Sequence, residues 1–498
     1  MIYKHLITSI IALSLFAILI TSCGERQQYL TGSLSGYIVL EGDDVVDNSG
    51  IVVELYKAVS LDTTITRVNL DYPHIGVHIS QETEFDHRLS NPIKSGVTNP
   101  NGSFEFKGVP VGKYNLFAYK DNWGFLYEYD VSIIEGENIA SSINEPLIMY
   151  PDIFLSSNIF DVMVFESGRH YVMEEDTNFH SGSQIIINPV TVIRINPGKI
   201  VTIQGNLTVL DEPGKYFRVT SNDGFYSQNN DLTPYERVLI GQNAKVTDNR
   251  ISGGIFHFGR TSLMIQEQGI TITNSILSGE MSACVFMAAE NIKVSYSIIR
   301  GTTIQDQSAL KFESILQGIV EKCIFIDNSI GLEILTSTNI TVENSYFYDN
   351  DFITIANYYS SEAQVVNNIF GNSSNAVFNG IGSTINVQRN IFYSAVGVQN
   401  GFIFGQIGAS YPTINYNNFY CSEYAVSTRA FYNGQIRYLD ATNNYWGTTN
   451  PAEIEDLIWD RSDEDPSHID YNHLLAYFLY EPFLNRRFSG AGIQLNGD

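Results

Sequence analysis

The sequence predicts an all-β protein: a right-handed single-stranded parallel β-helix preceded by a small β-sandwich domain. Three observations carry this. The 498 residues include 39 Gly, 30 Tyr and 29 Phe, with abundant Ile, Val, Asn, Ser and Thr, a mixture suited to strands and turns rather than helices. One eight-residue phrase returns at 270–277, 292–299, 318–325, 340–347, 363–370, 385–392, 412–419 and 439–446. Finally, apolar residues within each phrase alternate with a period of two, which excludes an amphipathic helix.

The spacing defines a solenoid. Sixth positions of the phrase are Ser275, Ser297, Cys323, Ser345, Asn368, Asn390, Asn417 and Asn444, separated by 22, 26, 22, 23, 22, 27 and 27 residues. A period in the twenties with short strands is the mark of coils stacked along an axis. Third positions (Ile272, Val294, Val320, Val342, Val365, Val387, Ile414, Ala441) form a nearly unbroken β-branched column. Eighth positions (Leu277, Ile299, Phe325, Phe347, Phe370, Phe392, Phe419, Trp446) form an aromatic one. Strands stacked about 4.8 Å apart put like on like inside the coil. The small polar sixth column is expected at a bend, its Asn amides bonding along the axis.

Upstream, the run 185–198 followed by 205–209 and 217–221 resembles the opening coils of pectin lyase-like bacterial β-helix proteins, and the closing Asn443-Asn-Tyr-Trp-Gly-Thr448 resembles their ends. The resemblance implies a fold and no single activity, since that superfamily mixes lyases, hydrolases, epimerases and non-enzymes. Solenoids need end caps, expected at 151–185 and 447–485.

Before the repeats, Asn101-Gly102 is a hairpin signal between alternating apolar residues that include Phe104 and Phe106. The stretch 98–114 resembles the carboxypeptidase regulatory-like domain, a transthyretin-like β-sandwich, with Asn99 where that family usually has Asp. Its members are accessory modules, which implies no catalysis here. The connection 60–94 is longer than the family's usual one.

At the N-terminus, Lys4 and His5 precede an apolar run over 6–20 that ends in Ile20-Thr21-Ser22-Cys23-Gly24. The run is short for a membrane span. It resembles a lipoprotein signal with its lipobox, which implies cleavage before Cys23 and lipidation of that residue. The expected organisation is a signal peptide at 1–22, a lipidated tether at 23–31, the sandwich at 32–150, the β-helix with its caps at 151–485 and a tail at 486–498. The expected place is the cell envelope, in the outer membrane, held there by lipid on Cys23. Cys284, Cys323 and Cys421 are odd in number and widely spaced, and suit neither a disulfide framework nor a zinc site.

Lys+Arg 28 against Asp+Glu 54 gives a net charge of -26, which excludes a phosphate-neutralising surface for nucleic acid. The repeats contain no His between 270 and 446. Within the repeats the Asn-Thr-Asp, Asp-Asp, Gly-His-Gly and Arg-Ile-Lys elements of polygalacturonases and the Asp-Pro-His of alginate epimerases are absent. Glu321 and Glu343 share the fourth position of adjacent coils, so their carboxyls could lie about 5 Å apart, the separation of retaining glycosidases. Asp327 and Asp349 share a column beside Asn328, Asn350 and Asp351, oxygen ligands that could hold calcium, or Asx residues at turns. No other cofactor is implied. Outward columns, including Thr271, Thr273, Lys293, Ser295, Thr341, Gln364, Asn386, Gln388, Thr413 and Asn415, are polar and mostly uncharged. With Tyr346, Tyr348, Tyr393 and Tyr416 nearby they suit a neutral glycan, or simply a solvated sheet. Two functions stay open: a tethered surface that recognises glycan or a protein partner without catalysis, and a polysaccharide lyase or glycoside hydrolase.

Overall fold

The computed structural model describes residues 30–42, 47–121, 123–224, 232–302, 304–380, 382–400, 410–428, 435–467 and 476–494. Cys23, the apolar leader and most of the tether lie outside the described residues. The chain divides into two compact units. One comprises Met1–Ala58, Ser90–Lys120 and Phe125–Met149; the other comprises Val59–Leu89, Asp121–Gly124 and Tyr150–Asp498.

The first unit is a small β-domain of two four-stranded sheets. In one, Thr31–Leu40 pairs with Ser103–Pro110, Gly136–Ile139 and Leu147–Met149; in the other, Lys94–Val97, Val52–Lys57, Gly112–Tyr119 and Phe125–Ile133 lie side by side. The Asn101-Gly102 turn forms, with the Gly102 N–H donating to the Asn99 carbonyl at 2.8 Å. It does not close a hairpin, because Lys94–Val97 and Ser103–Pro110 belong to different sheets. Gly36 explains part of this choice: a Cβ there would stand 2.7 Å from the Phe104 ring, so only glycine admits that ring across the pair.

The second unit is a parallel β-solenoid of about 11 turns. Its columns follow the sequence phrase. Third positions pair in register from Ile272 through Val294, Val320, Val342, Val365 and Val387 to Ile414. Eighth-position rings stack inside, with centroids 4.7 Å apart for Phe325–Phe347, 5.0 Å for Phe347–Phe370, 4.9 Å for Phe370–Phe392, 4.9 Å for Phe392–Phe419 and 5.3 Å for Phe419–Trp446. The rings repeat at the strand spacing because the backbone ladder sets it. Coils already run through the stretch expected to be a cap: Asp152–Phe154 pairs with His170–Met173, and Val162–Phe165 with Gln184–Ile187.

The sixth column is a fully buried polar ladder. Asn390 Oδ1 accepts from the Asn368 backbone N–H at 2.9 Å, and its Nδ2 donates to the Val365 carbonyl at 2.8 Å and to Asn417 Oδ1 at 3.1 Å. Asn368, Asn417 and Asn444 repeat the pattern, and Ser345 and Ser297 serve the coils before them. Burying an amide is tolerable only when its donors and acceptor are all used, as here. The chain turns one residue earlier than expected. Fifth positions Asn274, Tyr296, Lys322, Asn344, Asn367, Arg389, Tyr416 and Asn443 all have left-handed backbone, φ from 47° to 60°, a conformation Asn tolerates better than most residues.

The seventh column points outward yet is apolar: Ile276, Ile298, Ile324, Tyr346 and Ile369. Two segments cover it. From the 59–89 connection, the helix Thr63–Asp71 (α1), capped by Asp62 Oδ1 on the Ile65 N–H, brings Ile65 and Val68, and the chain beyond it brings Ile75 and Val77. The 32–150 assignment is corrected here, since Val59–Leu89 packs with the solenoid unit. Farther along, the supposed tail lies on the same face: Ile493 is buried, and the Gly492 N–H donates to the Arg389 carbonyl at 2.7 Å.

Asn390→Ala should lower unfolding free energy by about 2–4 kcal/mol, because it strands donors and acceptors on two coils. Gln364→Ala, on an exposed outward position of the adjacent coil, should change it by no more than about 0.5 kcal/mol. Urea unfolding midpoints of the two variants check this.

Candidate functional site

Glu321 and Glu343 face each other across adjacent parallel strands on the ten-stranded sheet. Lys293 Nζ sits 2.8 Å from Glu321 Oε1. Burial first, and then the Glu321 charge, push the Glu343 carboxyl above its usual range, against the opposing pull of Lys293 and Lys322. The pair is therefore asymmetric: an ammonium contacts Glu321, while Glu343 is more readily protonated than an ordinary glutamate.

Asp327 and Asp349 lie at left-handed turns, φ 56° and 49°, and Asn372 donates to Asp349 Oδ1. Asn328 and Asn350 turn inward instead, Asn328 Nδ2 donating to Asn350 Oδ1 at 3.0 Å. Burial, Asp62 and Asp349 raise the Asp327 carboxyl. Among the described residues no group of three or more His, Cys, Asp or Glu is placed to hold a metal ion.

The tyrosines separate. Tyr346 is 9% exposed and lies in the cluster beneath α1, where its hydroxyl meets Arg67 Nη2 at 3.4 Å. It is a packing residue, which corrects its expected place on an open binding face; the cause is the apolar seventh column to which it belongs. Tyr348 packs partly against the same cluster. Tyr393, 54% exposed, stacks on Tyr420 at 5.2 Å, and Tyr416, 39% exposed, meets Phe488 at 5.4 Å. Of the outward polar residues, Thr273 and Ser295 are buried, joined by a 3.2 Å hydrogen bond.

A further concavity was not foreseen. A cavity of about 570 Å³ lies between the end of the 59–89 segment and the solenoid, lined by Thr83, Glu84, Asp86 and Leu89 on one side and by Arg218, Leu232, Pro234, His257, Phe258, Ser278, Gly279, Glu280, Arg300 and Gly301 on the other. That volume suits small-molecule sites, which span roughly 300–1,000 Å³. Two irregularities open it. The strand Gly254–Ile265 loses register on both sides of Gly259, where it pairs with Gly279. A Cβ at Gly259 would stand 2.6 Å from the Tyr235 ring, and one at Gly279 would collide with the Ser282 carbonyl, so both bulges require glycine. Bulges re-aim side chains, and Phe258 follows with φ 56°, a costly backbone state for a bulky residue.

Ion pairs fix the covering segment. Arg88 clasps Asp86 through Nε at 2.9 Å and Nη2 at 2.7 Å, reaches the Ser221 carbonyl at 2.7 Å, and lies 4.7 Å over the Phe258 ring. Burial pushes the Asp86 carboxyl up, but Arg88, His87 and Arg218 outweigh it and hold it far below the carboxylate range. Arg300 binds Glu84 through two bonds, 2.8 and 3.0 Å. Arg218 Nη2 donates to the Glu82 carbonyl at 2.7 Å. Burial, then Arg300, Arg218 and Arg88, hold His257 well below the usual imidazole value against the opposing pull of Asp86, so the ring is neutral at pH 7. Its Nε2 is buried without a hydrogen-bond partner. Apart from Arg88 and Asp86, the partners are 132 to 216 residues apart in sequence, which hid them. The legible signal was the apolar seventh column, which demanded a cover.

The family description "Right handed beta helix region" matches residues 238–392, the stretch that holds the bulges and six of the phrases. The solenoid is a right-handed β-helix. No curated protein matches the chain. Two solved structures resemble it slightly. An alginate lyase from Paenibacillus sp. str. FPU-7 is 10% identical at a TM-score of 0.28, over 55% of this chain and 95% of that one. A type II cohesin–X-dockerin complex from Acetivibrio cellulolyticus is 21% identical at a TM-score of 0.16, over 24% of this chain. The chain spans 58% of the length of that latter structure. Neither likeness is close enough to bear on activity.

Glu343→Gln should stabilise the β-helix at pH 7, because the raised carboxyl is destabilising wherever it is ionised. The sign follows from linkage: the folded state holds this proton more tightly than the unfolded chain, so the variant's advantage is full above the folded pKa and fades as pH falls through it toward the unfolded value of about 4.3. Melting curves of both proteins between pH 4 and pH 8 check this.

Proposed function

We propose that this chain is a glycan-recognition protein of the cell envelope, anchored by lipid on Cys23, in which the β-helix serves as a rigid scaffold for binding without turnover. The cavity beneath the 59–89 segment supports this reading most directly. It is concave, of ligand size, and lined by planar polar groups beside an aromatic ring, the surroundings that read hydroxyls and pack on sugar faces. The uncharged outward positions Thr271, Thr341, Gln364 and Thr413 and the exposed Tyr393–Tyr420 stack extend a polar, aromatic surface along the same helix.

A glycoside hydrolase is the second reading, and the Glu321–Glu343 pair favours it: two carboxyls face each other across adjacent strands and one is raised above its usual range, as in the paired acids such enzymes use. Against it, the pair stands on the open sheet, and its members do not line the cavity.

Purified full-length protein on a glycan array, with a product assay on each glycan it binds, separates the readings. Binding without products, abolished by Glu280→Trp across the cavity and untouched by Glu321→Gln or Glu343→Gln, is expected. Turnover lost in either Gln variant would establish the hydrolase. Cys23→Ser should move the protein from the membrane to the soluble fraction.

A further inference from the structure

Among the cavity's charged groups, Arg218 and Arg300 face Glu84, Asp86 and Glu280, with Arg88 directly behind Asp86. Three guanidiniums thus meet three carboxylates, and the sum is zero. The guanidiniums are committed: Arg88 to Asp86, Arg300 to Glu84 through two bonds, and Arg218 to the Glu82 carbonyl. An incoming carboxylate or sulfate would have to break one of these pairs and leave a carboxylate uncompensated in a partly dehydrated space. The chain's net charge of -26 opposes anions from a distance as well.

Among the described residues that line the cavity, exposed Glu280 makes no hydrogen bond, and His257 contributes a ring whose Nε2 is sealed beneath the wall without a partner. A neutral imidazole offers one donor or acceptor, and a carboxylate offers acceptors only. Beside them Phe258, aimed by the bulge, supplies an apolar wall. Directional hydrogen bonding, zero net charge and one aromatic wall together describe a site for a polyhydroxylated ring rather than for an ion.

We infer that the cavity takes an uncharged sugar unit, its hydroxyls bonded by Glu280 and its C–H face toward Phe258, and that it discriminates against uronic-acid units. This rests on the glycan-recognition reading above and narrows it to one chemical class. Glu280, exposed on the cavity wall and unpartnered among the described residues, is the group most free to bond such a ligand.

The test is calorimetric titration of the full chain with neutral oligosaccharides (cello-, manno- and xylo-oligomers), with oligogalacturonate and oligoalginate, and with chitosan oligomers. A neutral oligomer should bind at least about tenfold more tightly than either uronate. Glu280→Gln should weaken that binding while narrowing the gap to the uronates, and Glu280→Trp should abolish it. Glu280 is exposed and unpartnered, so both variants should fold as the parent does. Tighter binding of a uronate or of chitosan would overturn this inference and leave glycan recognition standing, as would neutral binding indifferent to both variants. Failure to bind any glycan on the array would sink both.

Discussion

The outward apolar column of the β-helix is the constraint on which the rest depends. A solenoid buries its inward columns by stacking, but a strand face also has an outer side, and here that side carries Ile276, Ile298, Ile324 and Tyr346. Leaving such a stripe in water forfeits about 25 cal/mol per Å² of apolar surface and invites aggregation. The chain covers it with α1 and the residues after it, and with Ile493 near the other end. Once the 59–89 segment is committed to that face, its later residues fall beside Arg218, Arg300 and His257, and the cavity follows.

The ion pairs then determine how that segment sits. Asp86, Arg88 and the Glu84–Arg300 pair lose hydration when covered, and their mutual attraction does little more than offset that loss. Their value is positional: a bidentate guanidinium–carboxylate clasp fixes two chain segments in one geometry where apolar contact alone permits sliding. The same logic separates the two acid pairs. Glu84 is paired with its arginine and belongs to the wall, whereas Glu343 is raised by burial first and then by the carboxylate across the coil.

Much of the fold could be read from the residues, because the period and the alternation state it directly. Val320, Val342 and Val365, and Phe325, Phe347 and Phe370, lie where their columns require. The bend was read one residue late: buried small side chains mark the sixth position, while the left-handed turn at the fifth is shared by Asn344, Lys322 and Tyr416, which have no chemistry in common. Direction was the harder property. Isoleucines at the seventh position stood in every early phrase, yet nothing in a single phrase says that two adjacent apolar residues, Ile324 and Phe325, point to opposite faces and need two different covers. The site was less legible still. Arg88, Arg218 and Arg300 are scattered between weak local patterns, and their convergence exists only after the 59–89 segment docks.

The most direct test of this account is hydrogen–deuterium exchange across that segment in the full chain. If α1 and the residues through Leu89 cover the β-helix, their amides should exchange as slowly as those of the strands Ile324–Leu335 and Tyr346–Tyr358. Exchange of 63–89 at the rate of an open loop, with those strands still protected, would contradict it.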